Sequence, residues 1–241
     1  MSQPLSRRLF LALTGGALAV PSLSWAAAEE EDNEVPALLD HILLGCNDLD
    51  RGIKLVEEST GVRPAIGGVH PGRGTRNALL SLGERRYLEI IAPDPGQHEI
   101  VHFPQIREMT DPRLIGWAVH PPEIAAIAKQ LRENQIAFTG PEDGSRKRPD
   151  GHVLTWKTIN LADDLHGLLP FFIEWSADSV HPSKDAPARC QLEYFEIMSA
   201  DPDELSSTLK RIGLDLPVQR SDRARLRALI SGPKGDLGLS T

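Results

Sequence analysis

The sequence predicts an α+β fold built from βαβββ units, two of them nearly complete and a third partial. A strand, a helix and further strands begin near residue 38, and the same succession recurs about 75 residues later, as expected for a structural repeat. Of the 241 residues, 40% are hydrophobic and 25% are charged, which is typical of a globular protein. A chain of this length can bury a large core without disulfide bonds.

The first unit occupies residues 38–92. Residues 38–45 form a compact apolar run that indicates a strand. Asn47 and Asp48 offer N-cap side chains for a helix that extends to about residue 59, before Gly61 ends it. Three more strands are expected, within 63–69, at 76–82 and at 87–92.

The second and third units repeat this order with different residues. The second has a strand at 114–119, a helix at 122–134 and strand candidates at 136–138, 153–159 and 171–175. The third has a strand at 192–198, a helix to residue 211 and strands at 225–230 and 237–240. We therefore expect a domain of two modules at 38–182, with a partial module at 183–241 packed on the same body.

The first 28 residues are typical of an export signal. Arg7 and Arg8 precede an uncharged apolar run at 9–23, which at about 15 residues is shorter than a membrane-spanning helix. Small residues follow at 26–28, so the layout predicts a twin-arginine signal peptide, recognised by the twin-arginine export machinery and then removed. The mature protein is expected in the periplasm or secreted, with 29–37 as a linker. An uncleaved membrane anchor is the alternative.

The charge balance argues against nucleic acid as a partner. The net charge is −8, and it becomes −10 once the signal and its two arginines are removed. The basic run Arg146, Lys147 and Arg148 is expected to form a solvated loop. Cys46 and Cys190 are too few for a disulfide framework, and we leave open whether they pair or stay as buried thiols.

Three stretches resemble glyoxalase-like domains of the vicinal oxygen chelate superfamily. They are residues 39–44 with the helix end at 60–64, residues 70–80 with 87–89, and residues 169–175 with 181–182. The resemblance implies that paired βαβββ modules form a curved mixed sheet around a cup, with a metal held by the first and last strands of each module. The superfamily contains isomerases, lyases, ring-cleaving dioxygenases, thiol transferases and drug-binding proteins, so the fold does not select a reaction.

Carried over by position, the resemblance implies His41, Glu89 and Glu174 as ligands of a divalent metal such as Zn, Mn or Fe. Gly116 aligns opposite His41, and a glycine has no side chain to fill the fourth ligand position. The residues themselves support a site, because a carboxylate among apolar neighbours needs a cation or hydrogen-bond donors. Structural polar residues or carboxylates paired with arginine are the alternative.

Substrate-binding candidates follow the Gly67-Gly68 turn. His70, Arg73 and Asn77 place a cation and an amide where they would grip a carboxylate or carbonyl oxygen at the mouth of the cup. The alternative is a glycine-shaped turn whose polar residues face water. No phosphate-loop spacing is present, so no nucleotide cofactor is expected.

These residues predict an exported, divalent-metal-dependent enzyme acting on a small oxygenated substrate, of lyase, isomerase or dioxygenase type. Glu89 and Glu174 are the candidate catalytic carboxylates, expected to converge with His41 in one cavity. The alternative is a protein of the same fold that binds or sequesters a small molecule without catalysis. A homodimer is a further possibility that the sequence leaves open.

Overall fold

The computed structural model describes residues 35–148 and 150–241. The predicted signal peptide at 1–28, and the linker as far as residue 34, lie outside the described residues. No helix within 35–148 or 150–241 is both long enough and apolar enough to cross a membrane.

Two βαβββ units are present, as the sequence predicts. The first consists of β1 (Leu39–Gly45), α1 (Leu49–Thr60), β2 (Ala65–His70), β3 (Thr75–Ser81) and β4 (Tyr87–Pro93). The second consists of β5 (Arg113–Val119), α2 (Ile124–Glu133), β6 (Phe138–Lys147), β7 (Val153–Leu161) and β8 (Phe171–Trp175). A short 3-10 helix, Pro104–Glu108, lies between the two units.

The eight strands of these units close into a barrel in the order β1-β4-β3-β2-β6-β7-β8-β5. Each unit contributes its four strands in the same order, β1-β4-β3-β2 and β5-β8-β7-β6. The two units meet where β1 pairs with β5 along most of its length. The opposite seam is thin, because β2 and β6 pair only at Val69 and Lys147. The predicted α+β class with a curved mixed sheet is confirmed.

Helix α1 begins and ends where its cap residues predict. The Asp48 side chain accepts hydrogen bonds from the backbone N–H groups of Asp50 and Arg51, which satisfies donors that the first turn leaves free. Gly61 follows the last turn with a φ of 78°, a left-handed conformation that favours glycine. Ile53 and Val56 are fully buried against the sheet.

Strand β6 extends much further than the predicted 136–138. It includes Arg146 and Lys147 of the basic run that we expected to be a solvated loop, whereas Arg148 follows the strand. The Arg146 side chain faces the inside of the barrel, and the residue is only 3% exposed. The inward positions near the end of β6 are glycine and arginine instead of aliphatic residues. The hydrophobic alternation that marks a half-buried strand is therefore missing.

The third unit is more complete than the sequence indicates. It contains β9 (Gln191–Ser199), α4 (Pro202–Arg211), β10 (Val218–Arg220), β11 (Arg225–Ser231) and β12 (Asp236–Ser240), preceded by the short helix α3 (Pro182–Asp185). These strands form a separate sheet of order β10-β9-β11-β12, which differs from the order within each half of the barrel. The unit repeats the succession of elements but not their arrangement.

The main core lies between the outer surface of the barrel, the helices and the third sheet. Trp117 is fully buried there, and its ring packs on Phe195 of β9 with the centroids 5.1 Å apart. Its indole N–H donates to the Leu168 carbonyl at 3.0 Å, so the polar atom of this large side chain is satisfied. Cys46 and Cys190 are both buried free thiols.

The contact between the third sheet and the barrel can be tested with Phe195→Ala. Truncation of this buried ring should cost about 3–5 kcal/mol, because it leaves a cavity against Trp117. Tyr194→Ala is the matched control, since the Tyr194 side chain lies on the other face of β9 and hydrogen-bonds Arg227 through its hydroxyl. Urea unfolding measures both, and an equal loss in the two variants would show that Phe195 does not connect the sheet to the core.

Candidate functional site

A cavity lies inside the barrel and opens to solvent at one end, with an empty volume of about 620 Å³ including its mouth. We call it the cup. Its main polar lining residues are His41, His70, Arg73, Asn77, Glu89 and Arg146. Its opposite wall consists of Trp156, Phe171, Ile173 and Trp175. Polar groups therefore face an aromatic and aliphatic wall across the cavity.

The period of two along the strands selects which side chains enter the cup. On β4, Tyr87, Glu89 and Ile91 face inward, and Glu89 is only 8% exposed. On β8, the inward residues are Phe171, Ile173 and Trp175.

The expectation that Glu174 points into the same cavity is wrong. Glu174 lies on the outer face of β8, where its carboxylate accepts a hydrogen bond from the backbone N–H of Ile124 at 2.7 Å. Ile124 is the first residue of α2, so the carboxylate caps that helix. From its apolar neighbours, the sequence predicts that this carboxylate needs a cation or a hydrogen-bond donor. The donor is the backbone N–H at the start of α2, and Glu174 is half-buried.

Strand register shows which residues of the second unit correspond to those of the first. His41 pairs with Tyr87 in β1 and β4, and Ala118 pairs with Phe171 in β5 and β8. When Tyr87 and Phe171, the first residues of β4 and β8, are matched, Ala118 becomes the counterpart of His41 in place of Gly116. By the same register, Ile173 is the counterpart of Glu89. Only the first unit supplies polar groups at these positions.

Asn77 connects the polar residues of the cup. Its Oδ1 accepts a hydrogen bond from Arg146 Nη1 at 2.8 Å, which fixes the orientation of the amide. Its Nδ2 therefore points the other way and donates to Glu89 Oε1 at 2.7 Å and to His70 Nε2 at 3.3 Å. One side chain joins a buried guanidinium to a buried carboxylate.

His70 is neutral at neutral pH. Its Nε2 accepts from Asn77, so its Nδ1 carries the proton and donates to Thr75 Oγ1 at 2.8 Å. Burial, opposed by the nearby Glu89 carboxylate, lowers the pKa of His70 from 6.5 to about 4.

Glu89 is ionised. Burial alone would raise its pKa, but the hydrogen bond from Asn77 and the positive charge of Arg146 hold the pKa of Glu89 below its usual value. Its second oxygen, Oε2, lies 3.4 Å from His41 Nε2. That nitrogen has no hydrogen-bond partner among the described residues, although it is buried.

The other polar lining residues add positive charge. Arg146 was not a candidate in the sequence, because a basic run without apolar neighbours is typical of a loop. Arg73 lines the mouth of the cup and forms no ion pair within the part of the chain that the structure describes. The structure thus brings His41, His70, Arg73, Asn77 and Glu89 together and leaves out Glu174.

The residues of the cup do not fit the divalent-metal centre that the resemblance implies. Glu174 is outside, and the counterparts of His41 and Glu89 are the apolar Ala118 and Ile173. The Asn77 N–H group already donates to both His70 and Glu89, and Arg146 adds a fixed positive charge. Among residues 35–148 and 150–241, no three His, Cys, Asp or Glu side chains are arranged to hold a metal.

Comparison with known proteins gives a family and a fold. The family model described as a glyoxalase-like domain matches residues 39–213. A hypothetical protein from Staphylococcus aureus has a similar structure, with a TM-score of 0.58 and 17% identity over 84% of each chain. No curated protein matches the sequence.

Two methylmalonyl-CoA epimerases are more distant. A variant of the Streptomyces coelicolor enzyme in complex with 2-nitronate-propionyl-CoA has a TM-score of 0.46 and 18% identity, over 61% of this chain and 99% of that one. The Mycobacterium tuberculosis enzyme has a TM-score of 0.43 and 18% identity, over 59% of this chain and 91% of that one. At such identities only the fold is comparable, so the site must be argued from its own residues.

The neutral state of His70 makes the fold sensitive to acid. Between pH 6.5 and about 4, the unfolded chain binds a proton at this ring that the folded chain excludes, so stability falls as the pH is lowered through that window. The loss should reach up to about 3 kcal/mol. His70→Gln should lose less stability than the wild type when urea unfolding at pH 4.5 is compared with pH 7.

His152→Gln is the control for this comparison, since the His152 side chain is 81% exposed. It should behave like the wild type at both pH values. An identical pH dependence in His70→Gln and the wild type would contradict the neutral assignment.

Proposed function

Because the chain belongs to the glyoxalase-like domain family, we propose that its cup binds a small oxygenated organic anion and catalyses a proton transfer on it. The observation that carries the proposal is the approach of the carboxylate oxygen Glu89 Oε2 to the imidazole nitrogen His41 Nε2, at 3.4 Å, where the buried nitrogen has no hydrogen-bond partner among the described residues. Two acceptors at this distance accommodate a proton between them. The arrangement suits the capture of a proton from a substrate.

Glu89 is the proposed general base. Its carboxylate takes a proton from a carbon next to a carbonyl group, and the electron pair of the broken C–H bond moves to the carbonyl oxygen to give an enolate. The captured proton then lies between Glu89 Oε2 and His41 Nε2. Its return to a different atom or face of the enolate completes an isomerisation, without any other reactant.

The positive residues and the apolar wall support this chemistry. Arg146, held by Asn77, places a guanidinium inside the cup, where it stabilises negative charge that develops on the substrate. Arg73 at the mouth is placed to bind a carboxylate of the substrate. Trp156, Phe171 and Trp175 exclude water, which strengthens these electrostatic interactions.

A protein that binds the anion without catalysis is the second candidate. It is favoured by the apolar counterparts in the second unit, Ala118 and Ile173, which leave the polar groups on only one side of the cup. In this case the same residues recognise the charge of the ligand. Metal dependence is not part of either proposal, since the ligand set does not fit.

Glu89→Gln tests the choice between the two functions. Full-length protein is incubated in D2O with a panel of 2-oxo acids, 2-hydroxy acids and acyl thioesters, and exchange of the acidic C–H is followed by proton NMR. The wild type should exchange at least one compound, and Glu89→Gln should lower that rate by about 100-fold or more, because the base is lost.

Glu174→Gln is the matched control, because this glutamate is on the outer face of the barrel. It should keep the exchange rate. Exchange that survives in Glu89→Gln would contradict Glu89 as the base. Compounds that bind the wild type, as seen by chemical shift changes, but never exchange would instead support the binding function.

We also propose that the protein is exported through the twin-arginine route and acts in the periplasm or outside the cell. The support is the sequence layout, in which Arg7 and Arg8 precede an uncharged run and small residues follow it. Changing both arginines to lysine should abolish export, because the pair itself is recognised. Cell fractionation measures this, and an unchanged periplasmic yield would refute the assignment.

A further inference from the structure

We propose that Asp40 and His181, which do not line the cup, are positioning residues that fix the tautomer of His41 and so direct its Nε2 lone pair toward Glu89. The catalytic consequence rests on the proposed function. The tautomer assignment itself does not depend on that function.

A β-bulge brings Asp40 and His41 together. Along β1 and β5, Leu39 pairs with Val119 and His41 pairs with Ala118, so Asp40 is an extra residue without a partner in β5. Successive side chains of a regular strand point to opposite faces, and a bulge removes that alternation. The Asp40 carboxylate can therefore reach the ring of the residue beside it, with Asp40 Oδ1 2.8 Å from His41 Nδ1.

Asp40 is fully buried and surrounded by donors. Its Oδ2 accepts from His181 Nε2 at 3.1 Å and from Trp175 Nε1 at 3.2 Å. His120 Nδ1 is further away, at 3.7 Å. Burial raises the pKa of Asp40, but the hydrogen bonds from His181 and His41 outweigh it and hold the pKa well below its usual value. The carboxylate is ionised and can only accept.

The backbone of α3 fixes the proton on His181. The Ser183 N–H donates to His181 Nδ1 at 3.2 Å, so that nitrogen carries a lone pair. The proton of the neutral ring is therefore on Nε2, which faces Asp40. His181 consequently donates to Asp40 and does not compete with His41 for a lone pair.

The same reasoning places the proton of His41. Since Asp40 only accepts, His41 Nδ1 must be the donor, so the neutral form of the ring carries its lone pair on Nε2, which faces Glu89. The ring cannot turn freely, because Tyr87 stacks on it with centroids 4.5 Å apart and Phe171 contacts its edge at 5.4 Å. In the other tautomer, the Nε2–H group would donate to Glu89 and use up the acceptor that the proposed reaction needs.

Nitrogen-15 NMR of the histidine rings in the full-length protein tests the inference directly. Long-range proton–nitrogen correlations distinguish a protonated ring nitrogen from a lone pair, and His41→Gln identifies the signals of His41. In the wild type near pH 7, we expect the His41 proton on Nδ1. A wild type with a proton on Nε2, whether or not Nδ1 also carries one, would overturn the proposal.

Two variants test the roles of the positioning residues. Asp40→Asn keeps the shape of the side chain but can donate a hydrogen bond to Nδ1, so the Nε2–H tautomer of His41 should appear. His181→Leu should produce the same tautomer in part, and His181→Gln, which keeps a donor, should restore the wild-type signal. If Asp40→Asn leaves the tautomer of His41 unchanged, Asp40 does not position His41. If His181→Leu and His181→Gln give the same His41 signals, His181 does not position it.

The exchange assay separates this inference from the proposed function. If the wild type exchanges a substrate proton, Asp40→Asn should lower kcat by about 100-fold or more with little change in KM, because substrate contacts remain. A shifted tautomer with unchanged kcat would overturn the positioning role. A wild type without exchange but with the expected tautomers would refute the proposed function and leave the tautomer assignment standing.

Discussion

The polar half of the barrel depends on the burial of one negative charge. The Glu89 carboxylate is 8% exposed, and an ionised group so far from water must be compensated by donors and cations. Asn77 and Arg146 supply that compensation, and they come from β3 and β6, which belong to different units. Close packing at the β2 seam is part of the same constraint, because a Cβ atom at Gly67 would lie 2.3 Å from Asn77 Oδ1 and 2.4 Å from Arg146 Nη1. Only a glycine leaves room for the two side chains to meet there.

The two units of the barrel have diverged in chemistry while keeping their geometry. Corresponding positions are His41 and Ala118 on the first strands, and Glu89 and Ile173 on the last strands. The result is a cup with an acid–base pair on one side and an aromatic wall on the other. An arrangement of this kind orients a small molecule that has a charged, oxygen-bearing end and an apolar face. Because corresponding positions in the two units carry different residues, metal-ligand positions carried over from a family with two similar units are not all filled by ligands in this protein.

The sequence predicts the repeated units well, because their strands and helices show clear hydrophobic periodicity. It fails where periodicity gives no information. Residues 171–175 are apolar except for Glu174, so the pattern could not tell which face of β8 enters the cup. Arg146 lies in a polar segment that looks like a loop, and only pairing with β7 reveals it as a strand. The bulge at Asp40 arises from the pairing of β1 with β5, so the sequence of β1 alone does not predict it. By contrast, alternation along β4 places Glu89 on one face with Tyr87, and the structure has both in the cup.

The charge of Glu89 is the claim on which the site depends most directly. Carbon-13 NMR of the glutamate side-chain carboxyl groups, recorded as a function of pH with Glu89 assigned by its absence in a Glu89→Gln spectrum, measures it. We expect the Glu89 carboxyl to titrate below the usual range of a glutamate, because Asn77 and Arg146 favour its ionised form. A pKa of Glu89 above that range would mean that burial outweighs these partners. The carboxyl group would then already be protonated and could not accept a proton from a substrate. Glu89 would be excluded as the general base.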